Sequence, residues 1–139
     1  YNKKTAEEIY YWTKNVVNIY SEEVRKAQNK DNLQSVYAAA EYIRRHYKER
    51  ITVHQIAEKV HLSDSYLSHI FSETFGRTIT EYITSVRIEY AKTLLAEPGS
   101  SISEIALECG FEDVSYFSRV FKKSEGITPR DYKKKAILV

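Results

Sequence analysis

The segment Ser101–Thr128 has a twin earlier in the chain, and this repeat constrains the fold more than any other feature. Ile105 and Ala106 match Ile56 and Ala57 at an offset of 49. Past the following turn the offset becomes 50, and Ser118, Phe121, Gly126, Thr128 and Tyr132 match Ser68, Phe71, Gly76, Thr78 and Tyr82. A register that survives a one-residue insertion in a turn marks two copies of one structural unit. Each copy has the outline of a helix-turn-helix. A short helix carries a small residue (Ala57, Ala106) where a second helix crosses. A turn follows at His61 or Gly110, then an apolar residue (Leu62, Phe111), a polar cap and a second amphipathic helix. Such units use a three- to four-residue turn, often with Gly, to cross two helices steeply. In DNA-binding versions the second helix enters the major groove. Plain helical bundles share the outline, so one copy discriminates little. Two copies joined by a long helix discriminate far better.

Composition narrows the class. The chain has 139 residues, with four Gly and two Pro, which favours helices over a β-rich or disordered chain. No stretch is apolar enough to span a membrane, and the start lacks the basic-then-apolar form of a signal peptide. It also lacks Met, as expected of a piece of a longer protein. The single Cys excludes an internal disulfide and offers no metal-site spacing, so a reducing, cytoplasmic setting fits. Net charge is only +2. However, Arg119, Lys122, Lys123, Arg130, Lys133, Lys134 and Lys135 face only Glu125 and Asp131 in the same segment. Such a local excess suits phosphates, or simply a solvated helix face.

Taken in order, residues 1–33 are expected as an N-terminal connector helix. Ile9, Trp12, Val16 and Ile19 follow a 3-4-3 spacing that needs an apolar partner. That helix either pairs with its twin in a homodimer, below a sensory or receiver domain, or folds back on the rest. Asn29-Lys30-Asp31-Asn32 is a polar break that predicts the boundary, with residues 34–139 as the main domain. A second helix over 35–48 places Val36, Ala39, Ala40, Ile43 and Tyr47 on one face.

The first helix-turn-helix spans about 52–76. Thr52 and Gln55 form a capping box, and Gly76 ends the second helix. Leu67, Ile70, Phe71 and Thr74 are expected to point inward, and Ser65, Ser68, His69 and Ser72 outward. The linker helix covers 78–97, opened by the capping box of Thr78 and Glu81, with Ile79, Tyr82, Ile83, Val86, Tyr90, Leu94 and Leu95 as its stripe. Its length of about 27 Å compares with about 34 Å for one turn of B-DNA, which permits two groove-reading units on one face of a duplex. The second helix-turn-helix spans about 101–126, capped by Ser101 with Glu104 and then by Asp113. Tyr116, Phe117, Val120 and Phe121 are expected to contain the inward set, and Val114, Ser115, Ser118, Arg119 and Lys122 to look outward. Thr128-Pro129 opens a last helix, with Pro at its favoured first position.

Arg119 is the strongest candidate reader, because a guanidinium pairs bidentately with the O6/N7 edge of guanine. Its alternative is a phosphate contact or a surface ion pair. Ser115 and Ser118 are permissive readers on the same face. Val114 meets a thymine methyl or only shields the helix start. In the first unit, Ser65, Ser68, His69 and Ser72 carry no Arg or Lys, which predicts weaker reading. Lys122 and Lys123 suit phosphate contacts, which position without specifying. His46, His54, His61 and His69 have no metal-site spacing, and Cys109 reads as a small core residue. The twelve Tyr read mostly as core and interface filler. No phosphate loop, catalytic triad or paired carboxylates occur, so no enzyme activity and no cofactor are expected.

Ile56-Ala57 through Gly76 resembles the DNA-binding domain of the AraC/XylS family. So do Val86-Arg87-Ile88, Ala91-Lys92-Thr93-Leu94-Leu95, Ile105-Ala106 through Phe121-Lys122-Lys123, and Gly126-Ile127-Thr128-Pro129 with Tyr132. The resemblance covers about residues 36–134. It implies an all-α domain of two helix-turn-helix units joined by a linker helix, with double-stranded DNA as partner and transcription regulation, usually bacterial, as role. By position it implies Ser65, Ser68, His69 and Ser72 as the first set of readers and Val114, Ser115, Ser118 and Arg119 as the second. The family often carries a larger polar or basic residue where Ser68 and His69 stand. A regulator of this kind is expected to work by binding DNA and recruiting or positioning RNA polymerase, its further partner. The rival to DNA is a protein-docking module, which should show exposed apolar anchors. A fall of log affinity with log salt on duplex DNA separates the two.

Overall fold

The computed structural model describes residues 5–138. Among them are seven α-helices: α1 (Ala6–His46), α2 (Val53–Lys59), α3 (Asp64–Phe75), α4 (Ile79–Leu95), α5 (Ile102–Glu108), α6 (Val114–Glu125) and α7 (Pro129–Ile137). The all-α architecture expected from the repeat is observed, with α2–α3 and α5–α6 as the two units and α4 between them. Residues divide into two compact units, one ending at Ser35 and the other beginning at Val36.

Helix boundaries follow local chemistry. Thr52, Thr78 and Ser101 each accept from the backbone N–H three residues on, while Gln55, Glu81 and Glu104 accept from the cap's own N–H. Two of the four orphan donors at each helix start are thereby satisfied. Thr5 and Glu8 make the same reciprocal pair at the head of α1, a cap that the sequence reading missed. The expected start of that helix at residues 1–4 lies outside the described residues.

Two apolar clusters form the core of the unit beginning at Val36. The first joins Val36, Ala39, Ala40 and Ile43 of α1 to Ile56, Ala57, Leu67, Ile70, Phe71, Ile79 and Ile83. The second joins Ile88, Ala91 and Leu95 to Ile105, Ala106, Cys109, Phe111, Phe117 and Phe121. Cys109 is wholly buried, as expected, and burial pushes its thiol up to about 11.

Four expectations are corrected. The break at Asn29–Asn32 does not occur: α1 runs through it. Four polar residues without Gly or Pro cost only about a few tenths of a kcal/mol each, too little to end a helix. Thr74 is exposed and its hydroxyl donates back to Ile70 O at 2.8 Å, while Phe75 takes the inward place against Phe71 and Tyr82. Tyr116 is exposed rather than inward. Finally, α4 buries two faces in succession rather than one stripe: Ile79 and Ile83 enter the first cluster, Ile88 and Ala91 the second. The step from Ile83 to Ile88 turns about 140° around a helix, so each end of the strut serves its own unit.

Of the described tyrosines, Tyr42, Tyr82, Tyr90 and Tyr132 pack their rings against the two clusters, in keeping with a filler role, while others are exposed. None is fully buried. Tyr82 and Tyr90 place their hydroxyls at the surface, where Arg44 Nε and Lys48 Nζ donate to them at 3.1 Å each. A phenol buries its ring readily but keeps its hydroxyl near a partner or water.

Candidate nucleic-acid interface

The two turns are built alike. Leu62 N donates to Ala57 O and Phe111 N to Ala106 O, both at 3.0 Å, and His61 N and Gly110 N donate to Glu58 O and Leu107 O. This pair of hydrogen bonds closes each short helix in the pattern that requires a left-handed residue. His61 has φ +59° and Gly110 φ +92°. The one-residue insertion falls on Glu112: the next helix is capped by Ser63 in the first copy and by Asp113 in the second. Ser63 Oγ accepts from Tyr66 N at 3.2 Å, and Asp113 Oδ1 from Ser115 N at 2.8 Å.

Beyond these caps, α3 and α6 present matching faces. Ser65 and His69 of α3 are exposed, with Ser68 and Ser72 half-buried beside them. On α6, Ser115, Arg119, Lys122 and Lys123 are exposed and Ser118 is half-buried. Val114 is half-buried and packs on the second cluster, as its shielding role at the helix start requires. At a constant offset, His69 corresponds to Arg119, Ser72 to Lys122 and Glu73 to Lys123.

The charges around these faces differ. His69 Nε2 lies 3.2 Å from Glu73 Oε1, so a carboxylate accompanies the largest polar side chain of α3. His54 Nδ1 is 3.0 Å from Asp64 Oδ1 and its Nε2 3.2 Å from Glu58 Oε1. Hydrogen bonding to Asp64, then the charges of Asp64 and Glu58, raises the His54 pKa. On α6, Arg119 pairs with no carboxylate among the described residues; its guanidinium lies 5.8 Å from the Tyr116 ring centre. Glu125, the one acid on α6, is taken up by Lys92 at 3.3 Å. Part of the basic excess beyond α6 is structural: Lys133 is half-buried and its ammonium donates to Ser100 O.

Arg119 also borders an open cleft of about 670 Å³ that includes Lys48, Arg50, Arg87 and Tyr116 in its lining. Lys48 and Arg50 were not among the sequence-predicted site residues. They sit far from Arg119 in the chain, and only the packing of the segment after α1 against the second unit brings them near. Arg50 Nε is 3.8 Å from Glu112 Oε1, with both side chains largely exposed. Among the described residues no group of three His, Cys, Asp or Glu could hold a metal ion. No described helix is long and apolar enough to cross a membrane.

Two capped helices of matched geometry, each the second helix of its own helix-turn-helix, give the chain the architecture of a tandem helix-turn-helix protein. A family model described as a helix-turn-helix domain matches residues 56–135. The uncharacterized HTH-type transcriptional regulator YisR of Bacillus subtilis (strain 168) is 37% identical over 98 residues, covering 70% of this chain and 34% of that protein. The C-terminal domain of AraT, a response regulator from Geobacillus stearothermophilus, superposes with a TM-score of 0.69 at 32% identity, covering 73% of this chain and 84% of that one. The C-terminal domain of the two-component response regulator yesN from Fusobacterium nucleatum gives 0.65 at 38% identity, covering 68% and 93%. The chain belongs to the AraC/XylS-type helix-turn-helix transcriptional-regulator domains. At that level its role is sequence-specific DNA binding. The chain spans about a third of the length of YisR.

Proposed function

We propose that this chain is the DNA-binding module of a bacterial transcription regulator, with α3 and α6 in successive major-groove segments on one face of a duplex. The observation that carries this is the pair of like-built reading faces joined by the 17-residue α4. That strut is about 26 Å long, and the width of the units it joins makes up the remainder of a B-DNA turn of about 34 Å. Within this reading Arg119 contacts a base edge, Ser115 and Ser118 adapt to neighbouring bases, and Lys122 and Lys123 hold phosphates. Ser65, Ser68, His69 and Ser72 form the weaker reader. Hydroxyl-radical footprinting on a bound duplex tests it. Two protected segments about one turn apart on one face are expected, with affinity falling linearly as log salt rises. A single short footprint contradicts the paired reading.

Residues 1–33 are proposed as the connector of residues 34–139 to an upstream receiver or sensory domain in the cytoplasm. The similarity to C-terminal domains of two response regulators supports this. Ile9, Val16, Ile19 and Val24 of α1 are exposed, and a second copy of the chain suits such a stripe. Replacing Ile9 and Val16 by Asp should reduce self-association in sedimentation; an unchanged monomer before and after removes the homodimer. Regulation through contact with RNA polymerase completes the proposal.

A further inference from the structure

Reading two groove segments at once requires the two units to keep a set spacing and phase, and their apolar cores do not supply it. Among the described residues, α4 alone contributes to both clusters. Two bodies joined by one helix can rock about it unless something spans the gap. At the middle of α4, Arg87 spans it. Its Nε donates to Tyr47 O at 2.7 Å and its Nη2 to Glu49 O at 3.0 Å. These carbonyls follow α1, whose residues from Val36 on belong to the first cluster. The same guanidinium lies 5.8 Å from the ring centre of Phe111, in the turn of the second unit. Phe111 in turn packs on Phe117 of α6 with ring centres 5.0 Å apart.

The second unit approaches the same point with its backbone. A Cβ on Gly110 would come within 2.6 Å of Tyr47 O and 3.1 Å of Lys48 Cα. The turn thus abuts the carbonyl that Arg87 holds, which only glycine allows at this φ. A second polar link runs parallel: Lys48 Nζ donates to Tyr90 OH at 3.1 Å, and Tyr90 OH donates to Glu108 Oε1 at 3.3 Å.

We propose that Arg87 is a positioning residue that sets the distance and phase between the recognition helices α3 and α6. The proposal rests on both helices reading DNA. A planar fork reaches two carbonyls two residues apart, whereas an ammonium is a point donor. Joining two readers rigidly raises the effective concentration of the second at the matching spacing and lowers it elsewhere. One added base pair moves a segment by about 3.4 Å and turns it by about 35°, which a fixed pair cannot follow.

The test measures binding of the 139-residue chain to its selected two-segment duplex, and to the same duplex with one base pair inserted or deleted between the segments. The wild-type chain is expected to bind the altered spacings about tenfold or more weakly. Arg87→Gln should bind the matching duplex about tenfold more weakly and treat all three spacings within about threefold of one another, with Arg87→Lys between the two. Uniform weakening with the wild-type spacing preference intact, or no change, overturns the proposal and leaves the paired reading standing. A wild-type chain indifferent to spacing overturns both. Circular dichroism monitors folding: if Arg87→Gln loses its helices, the Lys variant decides, a flattened spacing profile supporting the role and an unchanged one overturning it.

Discussion

The helices α3 and α6 occupy the same place in two copies of one unit, yet they are chemically unlike. Both run for 12 residues, both are capped on the first orphan N–H groups, and both end at a left-handed glycine. Their inward faces match, with Phe71 and Phe121 equally buried. Their outward faces do not. Asp64 and Glu73 give α3 a formal charge of −2, and its polar surface is serine and a histidine beside a carboxylate. Arg119, Lys122 and Lys123 against Glu125 give α6 +2. The comparison separates what the fold needs from what a reading face needs: the repeat preserves the core and the caps and leaves the outward positions free to diverge. In the proposed reading, the charged face of α6 is the one to grip and specify, and α3 adds a gentler, hydroxyl-based contact.

The largest expected effect tests whether the units are independent bodies. Phe117→Ala removes a wholly buried ring from the second cluster and should cost about 3–5 kcal/mol. Since the clusters are separate, hydrogen exchange should show α5 and α6 opening while α2 and α3 keep their protection. Equal loss in both would mean that they unfold as one. Next comes Arg119→Ala, which should relax preference at one base position by about 1–3 kcal/mol. Uniform weakening across all sequences would make Arg119 a phosphate clamp instead. A smaller change moves α3 toward α6: Glu73→Lys copies Lys123 and should tighten duplex binding a few-fold at low salt, with the salt slope steeper by about 0.9. An unchanged slope would place that face away from the phosphates.

The smallest effect concerns pH and only the first unit. Asp64 and Glu58 raise the His54 pKa above its ordinary 6.5. The stabilisation is therefore full below about 6.5 and is lost as pH rises through the raised value. The melting temperature of the wild type should lose a small advantage over His54→Gln as pH increases from about 6 to about 8.5. An advantage that grows with pH contradicts the assignment. Position 103, the counterpart in the second unit, is a serine and contributes no such dependence.

Much of the architecture was legible because its signals are local. The capping residues at Thr52, Thr78, Ser101 and Asp113 announce helix starts within four residues, and the repeat aligns the two turns without any structure. What stayed hidden depends on distance. Periodicity alone showed α4 as one stripe, because the two partners that divide its faces lie on either side of it in sequence. Tyr116 was grouped with Phe117 as apolar, although the i,i+4 pair of Phe117 and Phe121 already fills the inward face. Lys48 and Arg50 looked like an ordinary helix end until the fold placed them in the lining of the cleft that Arg119 borders. Only the distances to Tyr47 O and Glu49 O show Arg87 to be more than one basic residue on a strut. The candidate readers were chosen by position on a face, which is accessible in graded degree: Ser65, His69, Ser115 and Arg119 are exposed, and Ser68, Ser72 and Ser118 are half-buried.

The central claim is that one chain carries two unequal readers at a set separation. Selection of bound duplexes from a random pool at near-physiological salt tests it most directly. The account predicts two unlike motifs about one helical turn apart, the stronger one losing a base preference in Arg119→Ala. Two motifs of equal strength, or enrichment of a single motif with no preferred neighbour, would contradict it.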